Sequence, residues 1–299
     1  MKNEAYSERT TRRTRSTRML HPKVILSCLL MMPALAPPAS GLTVSLSAID
    51  TGFVTPMGGS AKGDGTVSGA TYNYSAGREL HYLDGTLFSP IGYMDRKNYF
   101  VFDLSSVTGP ITSATLKVYM GPDTAPAFPG GTHGYESLDP TETFELFETT
   151  DPGMALGLIG DLLTLNSTVG APAFDETSDP GVLIAGALHP LLGDGPLLLG
   201  GYTASPADDG TIIEIPITAG GLGYLSAFAG GTLVLAGTVP TSGGPPDPDS
   251  QLLFGFTGPD IPGGDVLTPV LEVTYVPEPG CPMLVCAAVC LLARRRLRK

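Results

Sequence analysis

Between residues 42 and 275 this 299-residue chain has no cysteine, and no tryptophan occurs anywhere in it. Its four cysteines, Cys28, Cys281, Cys286 and Cys290, lie near the two ends. The long middle can therefore form no disulfide, offers no thiol nucleophile and cannot hold a metal through sulfur. The missing tryptophan removes the aromatic face best suited to sugar C–H groups and cations. Tyr72, Tyr74, Tyr82, Tyr93, Tyr99, Tyr135 and Tyr202 are the available substitutes. Basic charge is also scarce. Lys62, Arg78, Arg96, Lys97 and Lys117 are the five cations of residues 42–275, against 26 carboxylates, a net of −21 where the whole chain has −12. That balance argues against a phosphate-binding surface and hence a nucleic-acid partner, and it favours solubility and cations. The middle shows no sustained 3.6-residue apolar period long enough for a major helix and no internal repeat at fixed spacing.

What the middle does contain is glycine, proline, serine, threonine and short apolar runs, the pattern of short strands separated by turns. Its 234 residues can bury a core as one large all-β domain or, less readily, two small ones. Residues 43–50 alternate and read as a first strand, followed by a glycine-rich loop at 57–65. Residues 66–75 read as a weaker strand with Tyr72 and Tyr74 on one face. Residues 98–104 are apolar on both faces, with Phe100, Phe102 and Leu104 opposite Tyr99 and Val101, which marks a central strand. Residues 111–119 alternate cleanly, with Ala114, Leu116 and Val118 inward and Thr115, Lys117 and Tyr119 outward. These two strands are expected to pair or to face each other in a sandwich core. A long loop spans 121–140, and a strand at 142–149 turns Phe144 and Leu146 inward. Residues 155–165 fit either a short helix or a strand. A strand at 211–218 aligns Ile213, Ile215 and Ile217, and Pro216 places it at a sheet edge. A short helix at 221–229 precedes strands at 231–239, 251–257 and 269–276. The total, nine to eleven strands, is enough for two packed sheets.

Catalytic chemistry is thin. His81, His133 and His189 stand in three unrelated contexts with no metal-ligand spacing. No Gly-x-Ser-x-Gly elbow occurs. With 26 acids, chance carboxylate pairs are expected, so a glycosidase-like pair carries little weight. The chain is read as a non-enzyme without a cofactor. Calcium is the one cation considered, because Asp247, Asp249, Asp260, Asp265 and the Asp208-Asp209 pair sit on expected loops. Solvated acidic loops explain the same residues.

The two ends differ from the middle. Residues 1–41 hold a basic n-region, the apolar run 24–32 and a small-residue exit, the layout of a secretory signal peptide cut near 39–41. Arg12-Arg13 resembles a twin-arginine signal but lacks the apolar residues that follow one. Only four residues separate Cys28 from Lys23, too few for a lipoprotein signal. Met19 is the expected true start, since residues 1–18 add five arginines and one lysine but no apolar run. Peptides from 1–18 in unprocessed precursor would contradict that start.

At the other end, Val276-Pro277-Glu278-Pro279 leads into the apolar segment 280–293 and then Arg294, Arg295, Arg296, Leu297, Arg298 and Lys299. The 14 apolar residues would span about 21 Å as a helix, short of the about 30 Å hydrocarbon core. The basic cluster can snorkel, and it keeps that end cytoplasmic. Pro277 and Pro279 hold the junction extended.

Residues 276–299 resemble the PEP-CTERM sorting signal of exopolysaccharide-forming bacteria, through the motif Pro277, Glu278, Pro279, the short apolar stretch and the basic stop Arg294, Arg295, Arg296, Arg298 and Lys299. Pro282 and the three nearby cysteines depart from the usual stretch. The resemblance implies export by the secretion machinery and transient anchoring in the inner membrane. A membrane-embedded exosortase would then process the chain for the cell surface or extracellular matrix. The strands at 98–105, 111–119, 139–147 and 269–275 resemble recurrent PEP-CTERM passengers of unassigned activity and DNRLRE-type and disaggregatase-related modules. That likeness implies a jelly-roll-like antiparallel β-sandwich at 42–275, flanked by the signal peptide and the membrane segment. The expected role is a structural or matrix protein associated with exopolysaccharide. A polysaccharide-binding module is the alternative, and a glycan-active enzyme comes third.

A domain without cysteine predicts indifference to reductant. Residues 42–275 should melt cooperatively at one temperature with and without dithiothreitol, and a shift of several degrees would contradict this.

Overall fold

The computed structural model describes residues 41–56, 60–63, 72–82, 90–121, 134–168, 180–193, 195–241, 251–257 and 268–277. The expected signal peptide and most of the tail lie outside them. Among the described residues there are fifteen strands, more than the nine to eleven expected, because several are short pieces at sheet margins.

Two antiparallel sheets pack face to face over one core, as expected for a β-sandwich. The smaller has four strands: β1 (Leu42–Ser47), β15 (Val270–Tyr275), β7 (Ile111–Tyr119) and β11 (Ile212–Pro216), in that order. The larger runs β10 (Leu198–Ala204), β9 (Glu142–Glu148), β12 (Thr232–Thr238), β6 (Pro90–Asp103), β5 (Ala76–Tyr82), β13 (Gln251–Leu253) and β8 (Tyr135–Glu136). A hairpin of β2 (Asp50–Val54) and β3 (Ser60–Gly63) joins it through β6. The remaining pair is β4 (Tyr72–Asn73) with β14 (Phe256–Thr257).

Period-two alternation predicted the inward sets correctly. Ala114, Leu116 and Val118 of β7, Ile213 and Ile215 of β11 with Ile217 just beyond, and Leu271, Val273 and Tyr275 of β15 all enter the core. From the opposite sheet they meet Phe100, Phe102, Phe144, Leu146, Leu233 and Leu235. Thus β6 and β7 face each other across the sandwich. Pro216 lies in edge strand β11 as expected, and the neighbouring Ile217 N–H donates to Ala114 O (3.0 Å).

The other face of the large sheet is covered by helices, which corrects the reading that no major helix occurs. Helix α1 (Pro152–Thr168) has 17 residues, resolving the ambiguous 155–165 segment, and α2 (Pro180–Leu188) was not expected. Asp151 caps α1 by accepting the Met154 N–H (2.9 Å), and Pro152 suits the first turn, where its missing N–H has no partner to lose. Ala155, Ile159 and Leu162, at i, i+4 and i+7, bury one face of α1. Together with Ala185, Leu188 and Leu192 they form a second core on Tyr99, Val101, Val234 and Ala236. The apolar outer face of β6 required such a cover. A third helix, α3 (Ala219–Ala227), matches the expected 221–229 within two residues. Thr218 caps it by accepting the Gly221 N–H (3.1 Å).

Other departures have local causes. Part of the glycine-rich loop is β3, held by pairing with β2. Strand β5 and the first half of β6 form a hairpin with each other, and β10 gains its pairing from the distant β9. Within the expected 66–75 strand only Tyr72–Asn73 is described as strand, while Tyr74 is fully buried just outside it. The expected 251–257 strand breaks at Phe254 (φ 74°) and Gly255 (φ 110°). A left-handed phenylalanine costs about 1–2 kcal/mol. Its fully buried ring offsets this by meeting Phe144 edge-on at 4.9 Å and Tyr74 at 6.2 Å. Gly237 in β12 is glycine for space, because a Cβ there would strike the Phe144 ring and Asn98 Oδ1.

Tyr99 leaves a polar flaw in the second core. It is completely buried, and among the described residues its hydroxyl has no hydrogen-bond partner. Leaving such a group unpaired costs about 1–3 kcal/mol. Tyr99→Phe should therefore keep the fold and raise unfolding free energy by about 1 kcal/mol in a urea titration. A loss of that size would show that the hydroxyl is bonded.

Candidate functional site

The sequence placed its sites at the C-terminal junction, and the structure describes where that junction begins. Strand β15 ends at Tyr275, and Pro277 is the last described residue. Val276 N–H donates to Pro110 O (3.0 Å) and the Tyr275 hydroxyl to Ser106 O (3.1 Å), which ties the end of β15 to the turn before β7. A register shift between Thr274 and Tyr275 marks the end of regular pairing. Leu42, the first residue of β1, is the register partner of Tyr275. The start and the end of the domain thus lie side by side at one end of the small sheet. Glu278, Pro279, Arg294, Arg295, Arg296, Arg298 and Lys299 lie outside the described residues. Among the described residues no helix is long and apolar enough to cross a membrane.

The described carboxylates of the acidic stretches are held by hydrogen bonds within the fold. Asp208 Oδ2 accepts the Ser205 N–H (2.7 Å) and hydroxyl (3.1 Å), and its Oδ1 accepts the Tyr202 hydroxyl (2.8 Å). Asp209 Oδ1 accepts the Tyr135 N–H (2.7 Å). Glu142, nearly fully buried, accepts the hydroxyls of Ser137 (2.7 Å) and Thr241. Asp208 closes its own turn and Asp209 and Glu142 tie together segments distant in the chain, so these carboxylates have structural partners. Among the described residues no group of three or more His, Cys, Asp or Glu could hold a metal. Asp247, Asp249, Asp260 and Asp265 lie outside them.

The histidines remain apart. His81 belongs to β5, opposite Gly92 of β6, and His133 lies outside the described residues. His189 follows α2, with Nε2 3.2 Å from Asp95 O. Its own carbonyl lies 3.5 Å from the Lys97 ammonium, a favourable place for a cation near a helix C-terminus. Of the seven tyrosines considered for sugar contact, Tyr74, Tyr99 and Tyr135 are buried. Tyr202 is half-buried and bonded to Asp208, while the side chains of Tyr72, Tyr82 and Tyr93 are not described.

Sequence reasoning missed the buried polar residues beneath the helices. Asp50 opens β2 opposite Val101, and its carboxylate is close enough to Tyr99 to disfavour a phenolate. The signal was an apolar strand carrying one tyrosine among residues that face a second layer. On the outside of the small sheet, Lys117 bridges Glu272 (3.1 Å) and Glu214 (3.4 Å), exposed pairs that add little stability. No protein-family model and no curated protein matches this chain, so the likeness of its tail rests on the order and position of residues 276–299 alone.

Four tyrosines resist ionisation in the folded domain. Burial raises the pKa of Tyr99, Tyr135 and Tyr224, helped for Tyr99 by Asp50, and the bond to Asp208 raises that of Tyr202. A raised folded-state pKa means that unfolding releases protons above the ordinary phenol pKa of about 10. Their contribution is whole below that value and is lost as pH rises through the folded-state values. Melting temperatures should hold between pH 7 and 9 and fall steeply above about 10. A flat profile to pH 12 would contradict the burial of these phenols.

Proposed function

We propose that residues 42–275 are an exported passenger delivered to the bacterial surface or extracellular matrix, where they act as a structural, exopolysaccharide-associated protein. In this reading residues 1–41 direct secretion, residues 276–299 anchor the precursor transiently in the inner membrane, and an exosortase cuts near Pro277-Glu278-Pro279. The sandwich is read as jelly-roll-like, in keeping with the modules its strands resemble.

One observation carries the proposal. Among the described residues the first strand starts at Leu42, directly after the expected signal cleavage, and the last ends at Tyr275, directly before the motif. These two residues are register partners, so removing both flanking segments leaves every β1–β15 pair in place. Among the described residues, the two cores draw on residues 44–275. A polysaccharide-binding module remains the alternative, and the burial of Tyr74, Tyr99 and Tyr135 gives it no support.

Intact-mass measurement of surface-extracted protein tests the reading. The mature chain should begin near residues 39–42 and end near Pro277-Glu278-Pro279. Neutralising Arg294, Arg295 and Arg296 should impair retention and processing without altering the melt of residues 42–275. Mature protein still carrying Lys299 would reduce the tail to an ordinary anchor.

A further inference from the structure

The two edges of the small sheet are built differently. At β11 the edge is closed. Pro216 has no N–H to offer, and Glu214 adds a carboxylate. Just past the strand, Thr218 donates its N–H to Leu199 O (2.6 Å) and its hydroxyl to Leu198 O (3.1 Å), drawing β10 alongside. At β1 these devices are missing. Leu42–Ser47 contains no charge, proline or glycine, and it pairs with β15 over all six residues without a bulge. Among the described residues it has no other strand partner. Among the described residues the backbone N–H and C=O groups along one side of β1 thus have no ladder partner, a ready template for another strand. The core-facing Val44 and Leu46 stay only half-buried, whereas Leu271 and Val273 of the adjacent β15 are fully buried. Leu42 and Ile49, at the two ends of the edge, are 48% and 60% exposed.

We propose that this edge pairs with β1 of a second copy of the chain, antiparallel about a twofold axis, merging two four-stranded sheets into one. The stretch is self-complementary in that arrangement. Direct partners in an antiparallel pair share a face. Twofold registers that keep the core face continuous therefore set Val44 against Val44 or Leu46 of the second copy. Thr43 and Ser45 then meet serine or threonine, so hydroxyl faces hydroxyl and apolar faces apolar. Charge selects the same surface. Residues 41–49 are neutral in a passenger carrying −21, and Glu272 beside them is paired by Lys117. Elsewhere carboxylates dominate, and two copies repel. Six residues a side fall short of the roughly 20–30 of a stable interface, so the dimer is weak and concentration-dependent. Screening of the net charge by salt strengthens it. The pairing does not depend on the sorting reading.

Sedimentation velocity of the full chain in nonionic detergent, over a dilution series at low and high NaCl, tests the pairing. It should show a reversible monomer–dimer equilibrium that moves toward dimer with salt. The double variant Thr43→Lys with Ser45→Lys places like charges opposite each other and should weaken dimerisation about tenfold or more. Association through the tail or the detergent would be indifferent to that change. Hydrogen exchange of the unaltered chain gives a second reading, in which β1 amides exchange more slowly at high protein concentration than at low. A chain that stays monomeric at every concentration overturns the proposal. So does a dimer of unchanged affinity in a folded variant, or β1 exchange that ignores concentration.

Discussion

Strand β6 is apolar on both faces, and the rest of the domain follows from that constraint. A strand that turns Phe100, Phe102 and Leu104 one way and Tyr99 and Val101 the other cannot stand at a solvated surface. One side is met by the small sheet through β7, β11 and β15. The other is met by α1 and α2. Two cores thus share one backbone, and the strand between them is fixed laterally by β12, β5 and β2. With no disulfide available to residues 42–275, this shared burial is the main source of stability, as expected where apolar area is the dominant favourable term.

The small sheet closes the domain and sets its boundaries. Strand β15, near the C-terminus of the domain, lies between β1 and β7, so the last strand made is an inner one. The small sheet cannot be complete until residue 275 has emerged. Leu42 of β1 and Tyr275 of β15 are neighbours at one end of the small sheet. The carboxylates of Asp208, Asp209 and Glu142 are held by hydrogen bonds within the fold.

Much of the small sheet was legible in the sequence. In β7, β11 and β15 every second residue is apolar, and one face meets solvent, so the pattern reports directly on burial. Pro216 announced its edge through its missing donor. The helices were harder. Gly153, Gly157 and Gly160 in α1 dilute the helical signal, although Asp151-Pro152 and the spacing of Ala155, Ile159 and Leu162 were there to be read. The double apolar face of β6 also implied a second layer. Strands β3 and β5 close hairpins with β2 and β6, and β10 pairs with β9 beyond two helices, but residues such as Ser60, Gly63, Gly200 and Gly201 carry little strand preference. The break at Phe254 depends on rings from β9 and from Tyr74, which no local window contains. For the candidate site, the motif was legible as sequence, whereas the pairing of Leu42 with Tyr275 came only from the fold.

The central claim is that β6 couples the two cores into one cooperative unit. Native-state hydrogen exchange under mild denaturant measures this directly. Amides of Tyr99, Phe100, Val101 and Phe102 should exchange only through global unfolding, together with those of Leu233, Val234 and Leu235 in β12. Exchange of the β6 amides through a smaller local opening, with β7 and β15 still protected, would contradict it.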